Sequence, residues 1–347
     1  MIQVYNISLK DVAIHHIGNK NLDEGINFSN QAVSMSEELE HVLTNYFIRP
    51  FIQNHEYFNL NHDLDLKYNE VYSIVNETFE DPNRFFLSSI NLAKHLYENS
   101  NHPNIKVGEF FAVYIKNCLV DEKKVDAIGL FKSENKDTFL KIKELKRDFE
   151  IESDLGINTN KLDKGCIIFN TEKEDGFLVS VIDNTNKGAE ARYWKEDFLN
   201  VTPRHDEYFI TQNALSLCKN FASKELPNQF DISKADQVDL INKSVQYFKE
   251  NKDFNFENYT SEVIEDPDVI TSFQQFKFDY EMEKNLEIGD NFSISKNAVK
   301  KEARKLKNVI KLDKNFHIYI HGDRNLIEQG IDNNGRKYYK IFYHEEK

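Results

Sequence analysis

The sequence predicts an α+β fold, because the spacing of its apolar residues changes twice along the chain. Apolar side chains recur at helical spacing before about residue 100, at strand spacing between about residues 107 and 182, and at helical spacing again after about residue 203. Strands that follow one another this closely, without helices between them, pair antiparallel as a meander. We therefore expect helices and an antiparallel meander sheet in residues 1–203, and a helical domain ending in a small antiparallel sheet in residues 204–347.

The N-terminal domain is predicted to begin with one or two strands through about Ile17 and to continue with helices. The segment from Ser34 to Glu37 has the spacing of a capping box, and a helical apolar repeat follows it until Pro50. A second helical repeat ends before His102-Pro103. Short polar turns then separate five predicted strands, over residues 111–115, 125–131, 139–145, 165–169 and 177–182.

The C-terminal domain shows the helical spacing repeatedly. Apolar residues mark helices over residues 214–221 and 238–248, and Asp266-Pro267 has the pattern of an N-cap followed by proline at the first helical position. A three-stranded meander is predicted from Phe316 onward, with a hairpin turn at Asn333-Asn334-Gly335. The change of pattern places the boundary between the two domains near residue 203.

The composition excludes several classes of protein. With 347 residues, 40% hydrophobic content, 27 Phe and 16 Tyr, the chain has enough apolar material for a packed core and is not typical of a disordered protein. No run of about 18 apolar residues occurs, so we expect no membrane partner. The first residues lack a basic region ahead of an apolar core, which predicts no secretory signal and a cytoplasmic location.

Charge is distributed unevenly along the chain. It carries 58 acidic and 44 basic side chains, a net charge of −14, which argues against a protein that coats nucleic acid with its whole surface. Residues 296–340, in contrast, contain twelve Lys and Arg against five Asp and Glu, a local net charge of +7. Residues 341–347 contribute −1, so residues 1–295 carry −20.

The basic segment has the pattern of an amphipathic helix over residues 296–311. At 100° per residue, Val299, Ala303, Leu306 and Ile310 share one stripe, and most of the cations lie about 120° away from it. Aligned cations beside a hairpin with lysines and aromatic side chains are typical of contact with the phosphate backbone, although a solvated helix face that binds nothing is the alternative. The predicted DNA-binding residues are Lys296, Lys300, Lys301, Arg304, Lys305, Lys307 and Lys311 in the helix, and Arg336, Lys337 and Lys340 in the last strand.

The sequence predicts no metal and no cofactor. Cys118, Cys166 and Cys218 are an odd number, lie about fifty residues apart and form no closely spaced pair, so we interpret them as ordinary partly buried thiols. Neither a Gly-x-Gly-x-x-Gly sequence nor a Walker A sequence nor a Gly-x-Ser-x-Gly elbow occurs. The absence of these three motifs excludes the nucleotide sites and the nucleophilic serine that they form.

One pattern imitates an enzyme. Asp126 followed by Glu134-Asn135-Lys136 resembles the spacing of metal-dependent nucleases, in which paired carboxylates hold Mg²⁺ and a lysine orients the attacking water. That chemistry needs the Glu-x-Lys element on a rigid strand, whereas residues 132–137 are predicted to form a turn. The sequence therefore nominates no catalytic centre, and a nuclease remains only an alternative to a non-catalytic protein.

Five short strings together resemble a known family. They are HIGNK at residues 16–20, DAIGLFKSENK at 126–136, LDKGCIIF at 162–169, ARYWK at 191–195 and IKLDKNF at 310–316. They are similar to the bacterial nucleoid-associated proteins of the NdpA-like group, in the form found in Bacteroidetes-type bacteria. The resemblance runs in the same order along nearly the whole chain, and it implies a cytoplasmic, DNA-associated protein without known catalysis.

These observations predict a non-catalytic, nucleoid-associated protein that contacts the backbone of duplex DNA, without reading sequence, through the basic C-terminal helix and hairpin. A second hypothesis is a protein–protein interaction module of the nucleoid that makes no direct DNA contact and binds other nucleoid proteins. Because two-fold dimers are the commonest oligomers, and the Phe- and Tyr-rich composition leaves apolar surface for an interface, we also predict a homodimer.

Overall fold

The computed structural model describes residues 7–120, 122–185, 192–306, 309–319 and 326–346. The chain divides into an N-terminal unit, Met1–Arg204, and a C-terminal unit, His205–Lys347, each with its own hydrophobic core. Both units combine helices with antiparallel sheets, which confirms the predicted α+β class. Among the helices of these described ranges, none is both long and apolar enough to cross a membrane.

The N-terminal unit is organised around a large antiparallel sheet. Its strands are β1 (Ser8–Ile17), β2 (Ile26–Phe28), β3 (Tyr57–Leu60), β4 (Gly108–Val120), β5 (Lys123–Ser133), β6 (Asp137–Leu145), β7 (Asp148–Gly156), β8 (Lys164–Phe169), β9 (Leu178–Asp183) and β10 (Val201–Pro203). Eight of them form one sheet in the order β10-β3-β9-β8-β5-β4-β1-β2. Every neighbouring pair in it is antiparallel, as the meander prediction requires.

Helices bury both faces of this sheet. On one face lie α2 (Glu70–Glu80), α3 (Phe85–Glu98) and a π-helical segment, Tyr193–Phe198, and on the other lies α1 (Glu37–Ile48). Successive residues of a strand point to opposite faces, so in β4 Phe110 and Ala112 join the first core while Phe111 and Val113 join the second. Burial on both faces explains why β4 is apolar at nearly every position instead of alternating.

The sequence located α1 but misplaced its first residue. The capping residue is Ser36, whose hydroxyl oxygen accepts a hydrogen bond from the backbone N–H of Leu39 at 3.2 Å. Ser36 has extended backbone angles and the helix begins at Glu37, so the capping box predicted from Ser34 is wrong. The second predicted helix is confirmed as α3.

Four of the five predicted central strands are confirmed as β4, β5, β8 and β9, but the prediction for residues 139–145 is wrong in its partner. That strand, β6, pairs with β7, and β5 pairs instead with β4 and β8. The physical reason is that β6 and β7 alternate charged and apolar residues, so they lack the two apolar faces that the interior of the sheet requires. We call residues 137–156 the ribbon.

The C-terminal unit is mainly helical. Its helices are α4 (Glu207–Asn220), α5 (Leu226–Gln229), α6 (Lys234–Glu250), α7 (Phe256–Tyr259), α8 (Pro267–Lys284) and α9 (Lys296–Lys305), and a small sheet pairs β11 (Asp253–Asn255) with β12 (Asn291–Ser293). Its core is rich in packed aromatic rings, among them Phe221, Phe248, Tyr259 and Phe273. The N-cap predicted for α8 is confirmed, because the Asp266 carboxylate accepts the backbone N–H of Asp268 at 2.9 Å.

Two hairpins follow α9. They pair β13 (Val309–Leu312) with β14 (Phe316–Tyr319), and β15 (Ile327–Ile331) with β16 (Lys337–Ile341). The predicted turn at Asn333-Asn334-Gly335 joins the second pair, and Gly335 has the positive φ of 79° that such a turn favours. Within the described residues these are two separate two-stranded sheets and not the predicted three-stranded meander. Ile310 and Ile327 anchor them against Ala235 and Val238 of α6.

Candidate nucleic-acid interface

The start of α9 is fixed against α4 by hydrogen bonds. Ser295 is the N-cap, and its side chain accepts the backbone N–H of Ala298. Its own backbone N–H donates to the hydroxyl oxygen of Thr211 at 3.0 Å, and Thr211 is fully buried in α4. These contacts determine which side of α9 faces the core.

The inner side of α9 is apolar apart from one carboxylate. Ala298 and Val299 are buried, and Glu302 is only 8% exposed. The Glu302 carboxylate accepts hydrogen bonds from the Gln212 side chain at 3.0 Å and from the Lys305 ammonium at 2.7 Å. The only acidic side chain of the helix is therefore engaged internally and does not lie among the outward-facing cations.

Lys296, Lys300 and Arg304 form the outer face of α9, which we call the cationic face. All three are exposed, and none of them forms an ion pair with another residue in the part of the chain that the structure describes. They lie four residues apart, so they advance by only about 40° per step and span about 12 Å along the helix axis. The three charges therefore form one row that is open to solvent.

The first turn of α9 differs from those of most of the other long helices, although α3 also lacks an acidic residue there. α1, α2, α4, α6 and α8 each carry an acidic residue there, which offsets the partial positive charge of a helix N-terminus. α9 has no acidic residue in its first turn and begins with Lys296. The positive potential of the free backbone N–H groups is thus reinforced, which is the arrangement that attracts anions.

The other lysines of α9 are less available. Lys301 is partly buried, with its ammonium 5.6 Å from the centre of the Tyr208 ring. Lys305 is exposed but pairs with Glu302. These two predicted site residues contribute positive charge beside the cationic face without belonging to its row.

The prediction that the helix continues to residue 311 is wrong. α9 ends at Lys305, because Leu306 has a non-helical ψ of 94° and the β-branched pair Val309-Ile310 enters a hairpin. Lys311 consequently lies on β13, exposed and opposite His317. Lys307, another predicted site residue, lies outside the described residues.

The three predicted residues of the last hairpin differ in their surroundings. Arg336 precedes β16 and pairs with Asp332 at 2.8 Å, and Lys340 faces Glu328 at 3.4 Å on the neighbouring strand. Lys337 is exposed and has no ion-pair partner within the described ranges. The hairpin therefore offers one unpaired cation where the sequence suggested three.

A buried ion network in the N-terminal unit was not found by sequence reasoning. Lys132 and Lys164 lie side by side at the ends of β5 and β8, with fully buried side chains. Lys132 pairs with Glu134 at 3.1 Å, and Lys164 pairs with Asp183 at 2.8 Å. The Tyr193 hydroxyl donates to Glu134 at 2.7 Å. The pKa of Tyr193 is raised well above its usual value, mainly by burial and secondly by the charge of this carboxylate.

Three of the strings that carry the family resemblance meet in this network. Residues 126–136 supply Lys132 and Glu134, residues 162–169 supply Lys164, and residues 191–195 supply Tyr193. The sequence signal that could have indicated this network is a lysine beside each of two apolar runs, Lys132 after the first and Lys164 before the second. Since all of these charges are paired and hidden from solvent, the network can orient strand ends but offers no exposed group to a ligand.

The nuclease-like pattern is not assembled. Asp126 pairs with Lys116 at 2.6 Å, and Lys136 pairs with Glu109 at 2.7 Å. Glu134 follows the other end of the strand that contains Asp126, about 25 Å away along the chain. Across the described ranges, no group of three or more His, Cys, Asp or Glu side chains is arranged to hold a metal ion. The three nuclease-like residues therefore do not form one pocket.

Comparison with known proteins identifies the family. The family model described as nucleoid-associated protein YejK matches residues 13–339, which includes α9 and most of the final hairpin. The chain belongs to this family. Membership supports a nucleoid-associated role, whereas the narrower Bacteroidetes-type assignment stays a prediction. A search of the curated proteins found no match.

Proposed function

We propose that this member of the YejK family is a non-catalytic protein of the cytoplasmic nucleoid that binds the backbone of duplex DNA through the cationic face of α9. The observation that carries the proposal is the row of Lys296, Lys300 and Arg304, exposed and without ion pairs within the described chain. Unpaired surface cations in a row are suited to a polyanion, because each can neutralise a different phosphate.

The dimensions of the row fit a phosphate backbone. Its length of about 12 Å equals the axial rise of roughly three to four nucleotides of one strand, at about 3.4 Å each. Lysine ammonium groups act as point charges, and a single arginine among them gives little capacity for reading base edges. The proposed binding is therefore non-specific, with Lys311 and Lys337 as additional contacts and Lys301, Lys305, Arg336 and Lys340 as supporting charges.

The proposal has a direct test with a matched control. Lys296, Lys300 and Arg304 are replaced together by Glu, and fluorescence anisotropy with a short labelled duplex measures affinity across a salt series. The control replaces Lys219, Lys224 and Lys249 by Glu, because these are exposed lysines of the same unit outside the basic segment. Both variants change the net charge by the same amount, so only the location of the charges differs.

We expect the first variant to bind much more weakly and the control to bind like wild type. Each phosphate contact contributes about 0.9 to the slope of log K against log salt, so losing three should flatten the slope by about 2.7. Equal losses in both variants, or no loss in the first, would overturn the assignment of the cationic face. A wild-type protein that binds no duplex even at low salt would favour a protein–protein module of the nucleoid instead.

We also propose that the chain forms a homodimer. The support is general, since two-fold dimers are the commonest oligomers and non-specific DNA binding gains strength from a second linked site. We propose other nucleoid proteins as further partners.

A further inference from the structure

No part of the chain that the structure describes covers the ribbon. Every residue from 135 to 155 is exposed, although this stretch contains seven large apolar side chains. β6 and β7 pair only with each other and form a two-stranded sheet outside the eight-stranded one. Because an isolated two-stranded hairpin is at best marginally stable in water, a ribbon of this length calls for a partner surface.

The two faces of the ribbon differ sharply. On one face, Lys141 pairs with Asp154 at 3.1 Å and Lys143 pairs with Glu152 at 2.7 Å, both across the two strands. Alternation places five of the seven apolar side chains on the opposite face, where their exposed fractions lie between 63% and 66%, while Phe139 and Leu145 share the charged face. That apolar face consists of Leu140, Ile142, Phe149, Ile151 and Leu155.

We propose that the apolar face of the ribbon packs against the same face of a second copy of this chain, related by a two-fold axis. The inference deepens the proposed homodimer and does not depend on the DNA contact. A two-fold interface requires one patch that is complementary to itself. This face meets the requirement because Ile142 and Ile151, directly opposite each other in the register, form an apolar centre.

The area of the face is suited to a dimer. At these exposed fractions the five side chains present roughly 500 Å² of apolar surface, so two copies would bury about 1,000 Å² before any rim residue is counted. Stable interfaces begin at about 1,200 Å² in total, which the polar residues Thr138 and Ser153 and the strand edges can complete. Two sheets stacked in this way lie about 10 Å apart with interleaved side chains.

Charge also favours a second copy over other occupants. The ribbon carries six acidic and four basic residues over 137–156, and Glu144 is the only charged one on the apolar side. Two copies can therefore meet without bringing their other carboxylates together. An anionic lipid surface or a nucleic acid would be repelled by the acidic strand β7.

The first test measures mass in solution without DNA. Light scattering of the full-length protein at tens of micromolar should give twice the 40.8 kDa chain mass. Replacing Ile142 and Ile151 by Lys should give the single-chain mass with the circular dichroism spectrum of the wild-type protein, since the ribbon lies outside the hydrophobic cores. The matched control, Leu64→Lys, changes an isolated leucine that is 82% exposed and should remain dimeric.

Mixing two oppositely charged variants is the decisive experiment. The Ile142→Lys/Ile151→Lys variant and an Ile142→Glu/Ile151→Glu variant should each be monomeric alone and should form a heterodimer together, because only unlike charges then meet. A wild-type mass of one chain, or a dimer that persists in either charged variant, would overturn the proposal. Charged variants that remain monomeric in the mixture would overturn it as well.

Cross-linking tests the same face in the folded dimer. The native cysteines Cys118, Cys166 and Cys218 are buried, so a cysteine introduced in the ribbon is the accessible one. Under mild oxidation, Ile142→Cys and Ile151→Cys, alone or mixed, should give a disulfide-linked dimer, whereas Lys141→Cys on the opposite face should not. Equal cross-linking from both faces would contradict the assignment of the apolar face to the dimer interface. A loss of DNA binding in the variant of the cationic face does not bear on this assignment.

Discussion

Replacing Glu134 by Gln should destabilise the N-terminal unit far more than the loss of one carboxylate at the surface. Glu134 is the carboxylate between two fully buried lysines, 3.1 Å from Lys132 and 3.9 Å from Lys164. Glutamine keeps the shape and can still accept the Tyr193 hydroxyl, so the change removes charge and little else. Lys164 then keeps its ion pair with Asp183, whereas Lys132 loses the carboxylate with which it pairs.

The magnitude follows from burial. Breaking a buried ion pair by removing one partner costs about 3–5 kcal/mol, because the remaining charge stays in a medium of low dielectric constant. For a unit of about two hundred residues, each kcal/mol lowers the melting temperature by about 2–4 °C, so we expect a decrease of roughly 6–20 °C. Scanning calorimetry of the variant beside the wild-type protein measures this decrease.

Two further variants make this result interpretable. Glu80→Gln removes a carboxylate that pairs with Lys173 at 3.0 Å, but both side chains are largely exposed, so no measurable change is expected. The double variant Lys132→Met/Glu134→Gln should be more stable than Glu134→Gln alone, because it also removes a stranded charge. If Glu134→Gln melts like Glu80→Gln, the network does not hold charges in the way described.

Three other predictions concern the same cores. Gly176→Ala should destabilise by at least about 2 kcal/mol in denaturant titrations, because Gly176 has a φ of +96° and an added Cβ would lie 1.9 Å from the carbonyl oxygen of Leu60. Burial raises the pKa of Cys118 to about 12 and holds those of the other two thiols above their usual range, so no thiol should react with Ellman's reagent near pH 8 until the protein is unfolded. Burial lowers the pKa of Lys132 from its usual value of 10.5. At pH values between this lowered pKa of the folded chain and 10.5, the unfolded chain therefore binds a proton that the folded chain lacks. Through this group the unfolding free energy should rise with pH across that window, and Lys132→Met should remove the rise in pH-dependent denaturant melts.

The sheet could be predicted from sequence because its strands are consecutive and their apolar runs are unmistakable. The ribbon could not, since the run around Phe139 resembles a strand of the main sheet until its partner is known. Its partner, β7, contains four acidic residues, which hid the apolar alternation of Phe149, Ile151 and Leu155. The pairing of the strands depends on which of them can bury both faces. This depends on residues far away in the sequence and is not visible in the pattern of a single strand.

The cationic face could be predicted because helical periodicity depends only on local spacing. The positions of Lys296, Lys300 and Arg304 follow from a repeat of four, and the stripe of Val299 and Ala303 is packed as that repeat requires. The end of the helix could not be predicted, because Ile310 continues the stripe equally well in a helix. Pairing with β14 decides for the strand, and this contact is absent from any local pattern.

The buried network was missed for a similar reason. Lys132 and Lys164 are thirty-two positions apart in the sequence and become neighbours only through the register of β5 and β8. A lysine next to an apolar run usually lies at a strand end that reaches solvent, and the sequence indicated only a turn over residues 132–137. Asp163 instead fixes the chain after β5, accepting the backbone N–H groups of Glu134 and Asn135 at 2.7 and 2.8 Å, and so turns the charges inward.

The opposite charges of the chain lead to a last prediction about salt. Residues 1–295 carry −20 and the basic segment carries +7, so DNA near the cationic face is attracted at short range and repelled at long range. At physiological ionic strength the screening length is about 8 Å, which leaves the contacts of α9 dominant, whereas at about 0.01 M it grows to about 30 Å and the repulsion reaches the duplex.

The plot of log K against log salt should therefore be linear at moderate salt and flatten toward low salt, instead of rising steadily as counterion release alone requires. Anisotropy titrations of the wild-type protein over this range measure the curvature. A straight line down to the lowest salt would show that the acidic remainder of the chain does not act on bound DNA. The Lys296→Glu/Lys300→Glu/Arg304→Glu variant separates the short-range attraction from the long-range repulsion. If the wild-type plot is curved, this variant should lose the steep part at moderate salt, since only the short-range attraction belongs to α9.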